Sequence, residues 1–391
     1  MTLIYVIAGE PSGDLLGGRL MAGLKARTDG AVQFAGIGGQ AMRAQGLDSL
    51  FPMAELSVMG LVEVMPRIPR ILRRVRQTVA DIGARRPDAI VTIDSWGFTG
   101  RVQKAVQELY PDIPRIHYVA PMVWAWKPNR TKKLARVLDL LMTLLPFEPP
   151  LFEKDGLRSL HVGHPVIECG AESGDGAAFR ARHGIAADAP VLVALPGSRH
   201  SETSRLLPVF GEAIRLIAAR QPGLTLVVPT VETVAEQVRA AVKSWDLPAI
   251  VVDGAAEKYD AFAAGTVGMA ASGTVALELA LAGLPTIITY RVSPLTAFVA
   301  RRFLGLGKTL KWATLVNILM DRTVMPELLQ EDCTPQAVAD GVLGLLGDPA
   351  ARQAMRAEMR DAMVRLGYGG VSPSARAADA VLAFIAERKR R

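Results

Sequence analysis

Cysteine is nearly absent. Cys169 and Cys333 are the only two in 391 residues. That excludes a disulfide scaffold and a Cys-rich zinc module, and it fits a reducing compartment. Aromatic residues are scarce at 6%, and they do not interleave with the basic ones, which argues against a nucleic-acid-binding surface. Unbroken apolar runs of membrane length are missing as well. The least charged stretch, Ala261 to Tyr290, has Glu278 as its one charge and is interrupted by Gly265, Gly268, Gly273, Gly283 and Pro285. It reads as buried strand, loop, helix and strand rather than a transmembrane helix. Met1 to Gly9 is apolar but short, has no basic lead and runs into Glu10 and Asp14, so it does not read as a signal peptide. The expectation is a cytoplasmic protein with peripheral membrane contact open to it. His117, His161 and His164 lack metal-ligand spacing, so they read as structural and no metal site is expected. No Ser-His-Asp arrangement is readable, and no repeat suggests a solenoid.

What is present is a globular composition, 50% hydrophobic and 21% charged, with a net charge of +7. The charge points to an anionic partner. Short apolar runs alternate with helix-like stretches. The runs are Leu3–Ala8, Ala89–Asp94, Arg115–Ala120 and Leu140–Leu145, with helices such as Leu15–Ala26 and Arg101–Leu109 between them. Around Gly170–Gly176 the composition turns to Gly, Ala, Glu, Ser and Asp and reads as a linker. The alternation resumes with Val191–Leu195, Leu224–Pro229, Ala249–Val252, Val267–Ala271 and Pro285–Tyr290. Continuous apolar strands between helices predict parallel sheets covered on both faces. The expected architecture is α/β, two doubly wound Rossmann-like domains facing a cleft, with a helical C-terminus. Boundaries are drawn at 1–169, 177–345 and 346–391, the last part as helices packing back across the domains. Ligands of such sheets sit off the carboxyl ends of the strands.

Three strand ends could carry chemistry. The first reads Ala8-Gly9-Glu10-Pro11-Ser12-Gly13-Asp14. Gly9 and Gly13 permit a tight turn, Ser12 or Asp14 can cap the next helix, and the helix start suits an anion or a sugar hydroxyl held against Glu10 or Asp14. The spacing fits neither the dinucleotide fingerprint nor a Walker loop. The second reads Leu195-Pro196-Gly197-Ser198-Arg199-His200-Ser201-Glu202. Its backbone donors and guanidinium suit a diphosphate. The bland alternative is an Arg199–Glu202 pair on a solvated turn. The third reads Ala271-Ser272-Gly273-Thr274-Val275-Ala276-Leu277-Glu278. Here helix-start amides again face a ligand, and the isolated Glu278 carboxylate needs partners. Ribose hydroxyls would serve, as would an arginine such as Arg291.

Two stretches combine apolar and basic residues. Leu56 to Arg76 carries Arg67, Arg70, Arg73, Arg74 and Arg76, and Phe298 to Trp312 carries Arg301, Arg302, Lys308 and Lys311. Either could lie on anionic lipid, or be an ordinary surface helix packed on its own sheet.

Taken in order, these motifs resemble a known family. Gly9 to Asp14, Ser57-Val58-Met59-Gly60 and His117 to Trp126 are similar to lipid-A-disaccharide synthases. So are Leu145-Pro146-Phe147-Glu148, Val162-Gly163-His164-Pro165, Leu195 to Arg199, Ala271 to Thr274, Tyr290 to Pro294 and Pro326 to Gln330. The resemblance implies an inverting, metal-independent glycosyltransferase without a cofactor. It would move 2,3-diacylglucosamine from UDP to 2,3-diacylglucosamine 1-phosphate at the inner face of the inner membrane. It further implies that Ser198, Arg199, Ser272, Gly273, Thr274, Glu278 and Asn317 hold the UDP-sugar, although Val316 replaces the family's Pro before Asn317. Ser12, Gly13, Met59 and Trp124 would fall on the acceptor side. Partners are the two lipid substrates and an anionic membrane surface, with a homodimer compatible and nucleic acid not expected. One departure stands out. The family's Ile-Asp-Ser/Ala-Pro-Asp-Phe is here Ile93-Asp94-Ser95-Trp96-Gly97-Phe98, so the usual candidate base is Gly97. Asp94, Glu10 or Asp14 could take the acceptor's proton, and Trp96 could fill acceptor-site volume. The alternatives are a weakly active or catalytically silent relative, and a transferase or epimerase acting on another UDP-amino sugar.

Overall fold

The computed structural model describes residues 1–56, 68–124, 130–245, 247–293 and 311–390. Two compact units result. The first comprises Met1–Pro165 with Gly369–Arg391, and the second Val166–Tyr368.

The first unit holds a six-stranded sheet. Its strands are β1 (Thr2–Ala8), β2 (Val32–Ile37), β3 (Ala89–Ile93), β4 (Arg115–Tyr118), β5 (Leu140–Thr143) and β6 (Ser159–His161), in the order β2-β1-β3-β4-β5-β6. Every pairing is parallel. That is the flavodoxin-like winding, whose switch point lies between β1 and β3. Helices α1 (Pro11–Arg27), α2 (Gln40–Ala44), α3 (Ile68–Arg85), α4 (Trp96–Leu109), α5 (Arg130–Ala135) and α6 (Pro149–Glu153) follow the strands. Alternation along β1 sends Ile4, Val6 and Ala8 to one core and Tyr5 and Ile7 to the other, as the pleat requires.

In the second unit the strands are β7 (Val191–Leu195), β8 (Thr225–Thr230), β9 (Ala249–Asp253), β10 (Val267–Ala271), β11 (Thr286–Tyr290) and β12 (Glu327–Leu329). Their order, β12-β11-β10-β7-β8-β9, is all parallel. This is the doubly wound dinucleotide-type order, with its switch point between β7 and β10. The helices are α7 (Gly176–Arg182), α8 (His200–Arg220), α9 (Ala235–Val242), α10 (Ala255–Ala264), α11 (Val275–Ala282), α12 (Leu315–Met320), α13 (Pro335–Gly347) and α14 (Pro349–Arg365). Strands β7 and β10 are buried throughout, which explains their continuous apolar sequence.

The expected linker at Gly170–Gly176 is not a free connection. Ala171 is buried, and a Cβ on Gly174 or Gly176 would meet the backbone of Tyr259 or Ala263 in α10. The chain divides just after Pro165 instead. Of the C-terminal helices, α13 lies against α8 and α14 against α11 and α12, inside the second unit. Helix α15 (Pro373–Arg390) returns to the first unit, where Ala377, Val381, Phe384 and Ile385 join the core beside Leu20 and Leu24 of α1.

Candidate active site

Register sets up both switch points. Ala8 pairs with Ile93, so Gly9-Glu10 and Asp94-Ser95 leave the first sheet side by side. Leu195 pairs with Ala270, so Gly197–Arg199 and Ser272–Thr274 leave the second sheet together.

The second pair of loops encloses a cavity of about 330 Å³, lined among others by Gly197, Ser198, Arg199, Ser272, Gly273, Thr274 and Glu278. That size suits a small ligand. Gly197 has φ +124°, and a Cβ there would sit 2.8 Å from that of Glu202. Only glycine turns the chain this way. The Glu202 carboxylate accepts from the Ser198 N–H at 3.1 Å and from the Arg199 guanidinium at 2.8 Å. Arg199 does pair with Glu202, but its side chain remains 65% exposed and the fork retains further donors. The Ser198 amide, by contrast, is already engaged. The Ser272, Ala276 and Leu277 amides are engaged by the Thr289, Gly273 and Thr274 carbonyls, which leaves the Gly273 and Thr274 amides at the start of α11, the helix end favoured by anions. Glu278 is held by Lys258 Nζ at 2.8 Å and by the Tyr259 hydroxyl at 3.5 Å. Arg291, one of the alternative partners offered by the sequence, donates to the Gln330 carbonyl. Lys258 lines the same cavity. In sequence it lies among Glu257 and Asp260 and reads as ordinary helix surface.

Asn317 does not line this cavity. It is fully buried. Its Oδ1 accepts from the Val324 and Met325 N–H groups, and its Nδ2 donates to the Met325 carbonyl and to Glu327. With its hydrogen-bonding capacity filled, the side chain organises the 317–327 turn, and the expected nucleotide contact is not what the geometry provides.

In the first unit, Asp94 and Ser95 both adopt left-handed backbone angles, φ +49° and +44°. For residues other than glycine that is strain of the kind found at functional sites. Ser95 Oγ donates to Glu10 at 3.1 Å, and the Ser95 amide donates to Asp94 Oδ1 at 2.8 Å. Gly9 must be glycine, because a Cβ would fall 2.7 Å from the Ser95 side chain. Burial raises the Asp94 pKa above the ordinary range, and the nearby Glu10 carboxylate raises it further. A close acidic pair of this sort can hold a shared proton.

Asp14 serves differently from expectation. It is 6% exposed and accepts from the N–H groups of Gly39, Ala41 and Met42 at 2.7, 2.9 and 3.1 Å. It therefore caps α2, not α1, and its carboxylate is engaged by backbone donors. Helix α1 starts at Pro11 with no side-chain cap, so Ser12 does not cap it either. Ser12 is exposed and Gly13 buried on that first turn, with Gly13 seated against Ala8 and Ile93.

Trp96 turns inward over Gly100, edge-on to the buried His117 at 4.8 Å between ring centroids. It is half-buried and packs against the apolar cluster of Leu134, Leu141 and Phe152. Trp124 donates to the buried Glu148 at 3.2 Å, whose other oxygen accepts from the Leu145 amide at 3.0 Å. Desolvation pushes the Glu148 carboxyl up to about 7, against the pull of these donors. Of the expected membrane-contact residues, Arg70 and Arg73 are exposed. Arg74 is not free for lipid: it is bidentate to Glu55 at 2.9 and 2.6 Å and lies over the Phe51 ring. Met59, Arg67 and the 298–310 stretch lie outside the described residues. Among those residues, no helix is long and apolar enough to cross a membrane.

Two Rossmann-like units, the second with a cavity at its switch point lined by backbone amides, Arg199 and Lys258, define the two-domain fold of nucleotide-sugar enzymes. Solved structures share the fold. A UDP-N-acetylglucosamine 2-epimerase from Neisseria meningitidis bound to UDP-GlcNAc aligns with TM-score 0.62 at 10% identity, over 99% of this chain and 100% of that one. MurG from Acinetobacter baumannii aligns at 0.57 and 15%, over 99% and 100%. Residues 4–371 match the family model described as lipid-A-disaccharide synthetase, and the chain belongs to that family. It is 66% identical to the lipid-A-disaccharide synthase of Paramagnetospirillum magneticum, over 99% of this chain and 98% of the relative. The figure for the synthase of Rhodospirillum centenum is 53%, over 99% and 95%. The chain is therefore a hexosyltransferase of lipid A assembly. The reading as a different UDP-amino-sugar enzyme is not favoured.

Proposed function

We propose that the β7/β10 cavity holds the UDP moiety of UDP-2,3-diacylglucosamine, and that Glu10 and Asp94 together take the proton of the attacking hydroxyl. The first half rests chiefly on one observation: Arg199, the α11 start and Glu278 line one cavity. Arg199 and the amides of Gly273 and Thr274 face the diphosphate, and Glu278 takes the ribose hydroxyls. As the glycosidic bond to UDP breaks, negative charge grows on the diphosphate. Preorganised donors aimed at that charge lower the barrier. On the acceptor side, the hydroxyl of 2,3-diacylglucosamine 1-phosphate attacks the anomeric carbon opposite the leaving group, which inverts it. Its proton passes to the Glu10–Asp94 pair, which stands in for the carboxylate missing at Gly97.

The test is disaccharide formation and UDP calorimetry on single variants. Glu10→Gln and Asp94→Asn should lose roughly 100-fold or more in turnover and keep UDP affinity. Arg199→Ala should weaken UDP. Normal turnover in the Glu10→Gln, Asp94→Asn double variant would place the base elsewhere.

The outer face of α3 serves as the contact with anionic lipid, through exposed Arg70 and Arg73 beside Ile68 and Leu72, which are 43% and 41% exposed. Arg70→Gln with Arg73→Gln should reduce sedimentation with phosphatidylglycerol vesicles and leave UDP binding intact. Unchanged sedimentation would make this an ordinary solvated face.

A further inference from the structure

We propose that Lys258 is a positioning residue of the nucleotide cavity, one that holds the Glu278 carboxylate and cancels its charge so that ribose and diphosphate can bind side by side. The inference rests on reading that cavity as the UDP site. A carboxylate beside a diphosphate is a liability: it suits the ribose hydroxyls but repels the phosphates. Lys258 resolves the conflict. It comes from the first turn of α10, a different element from the one carrying Glu278, and its Nζ lies 2.8 Å from Glu278 Oε2. Both side chains are largely removed from water, at 20% and 19% exposure, where charge–charge effects are weakly screened. The Tyr259 hydroxyl reaches the other oxygen, Oε1, at 3.5 Å. The ammonium is itself fixed over the rings of Tyr259 and Phe262, at 4.7 and 5.9 Å from their centroids. Glu278 is thus gripped from two sides, yet a carboxylate has about four acceptor sites and keeps lone pairs for a ligand. The two cavity acids, Glu202 and Glu278, each carry a basic partner, Arg199 and Lys258. Arg199 is the exposed one and can turn to phosphate, whereas Lys258 stays committed to Glu278.

A ladder of ligands tests this, with uridine, UMP and UDP titrated calorimetrically into wild type, Lys258→Met, Lys258→Arg and the Lys258→Met, Glu278→Gln double variant. Thermal melts confirm folding. Lys258→Met should bind uridine within about 2-fold of wild type but UDP at least 10-fold more weakly, because an uncompensated carboxylate now faces the phosphates. Lys258→Arg should retain most of the UDP affinity. The double variant should bind UDP more tightly than Lys258→Met alone, since the offending charge is gone, and this recovery is an outcome that mere loss of packing would not give. Unchanged UDP affinity in Lys258→Met, equal losses for uridine and UDP, or a double variant no better than Lys258→Met would each overturn the proposal. Failure of wild type to bind UDP, or indifference of UDP binding to Arg199→Ala, would instead overturn the assignment of the cavity itself.

Discussion

Replacing Asp14 with alanine separates a structural carboxylate from a chemical one. The side chain accepts three backbone N–H groups, from Gly39, Ala41 and Met42. Without it all three donors lose their partner, and the loss of a hydrogen bond to a charged group costs about 1.5–3 kcal/mol. Water can reach Gly39 and Ala41, which are not fully buried, whereas Met42 is 0% exposed. One dry orphan amide plus two rehydrated ones gives a loss of about 3 kcal/mol. For a unit of this size the first-domain transition should fall by roughly 6–12 °C. The assay is a thermal melt and a urea titration, with calorimetry for UDP alongside. Nucleotide affinity should hold wherever the second domain remains folded. An Asp14→Ala protein that melts like wild type yet forms no disaccharide would refute the capping argument and return Asp14 to the chemistry.

Gly97→Asp should fold normally, because a Cβ at Gly97 meets nothing within 4 Å and the residue is exposed. An acid in the first turn of α4 should add about 0.5–1 kcal/mol of stability. Turnover should change by no more than ~3-fold if the Glu10–Asp94 pair already serves as base, and a 100-fold gain would show that wild type lacks one. Glu148 should make stability depend on pH. Its carboxyl, at about 7, lies above the ordinary value, so the folded state binds a proton more tightly than the unfolded chain. The stability this gives is fully present below about pH 4.5 and is lost as pH rises through about 7, a change of about 3 kcal/mol. In Glu148→Gln that slope should flatten in urea titrations across this range, and an unaltered slope would assign the effect to other groups.

The sheets were the most legible part, since strands such as Val191–Leu195 and Val267–Ala271 are buried on both faces and carry no polar residue to break the run. Strand β2 escaped notice because Gln33 and Gly36 interrupt it. Gly36 is needed there, since a Cβ would fall 1.9 Å from the Val6 carbonyl of β1. The edge strands β6 and β12 are three residues long and leave no periodic signal. Arg199 and Ser272 to Thr274 could be found because they follow strand ends, and Glu278 because it is the one charge between Ala261 and Tyr290. Lys258 could not, since its relevance depends on α10 lying beside α11. Asp14 was misread for a related reason: its partners lie 25 to 28 residues away, and local spacing suggested the wrong helix. Asn317 looked like a ligand contact, but its polar atoms are all spent on a turn that only the fold brings together.

The return of α15 to the first unit bears on how the molecule is made. Ala377, Val381, Phe384 and Ile385 complete a core that otherwise begins at Ile4, so the amino-terminal half leaves the ribosome with an open apolar seam along α1. At ordinary synthesis rates the intervening Val166–Tyr368 segment takes about 10–40 s to appear. During that interval Leu20 and Leu24 lack their covering helix. A nascent chain stalled before Gly369 should therefore be a better chaperone client than the finished protein.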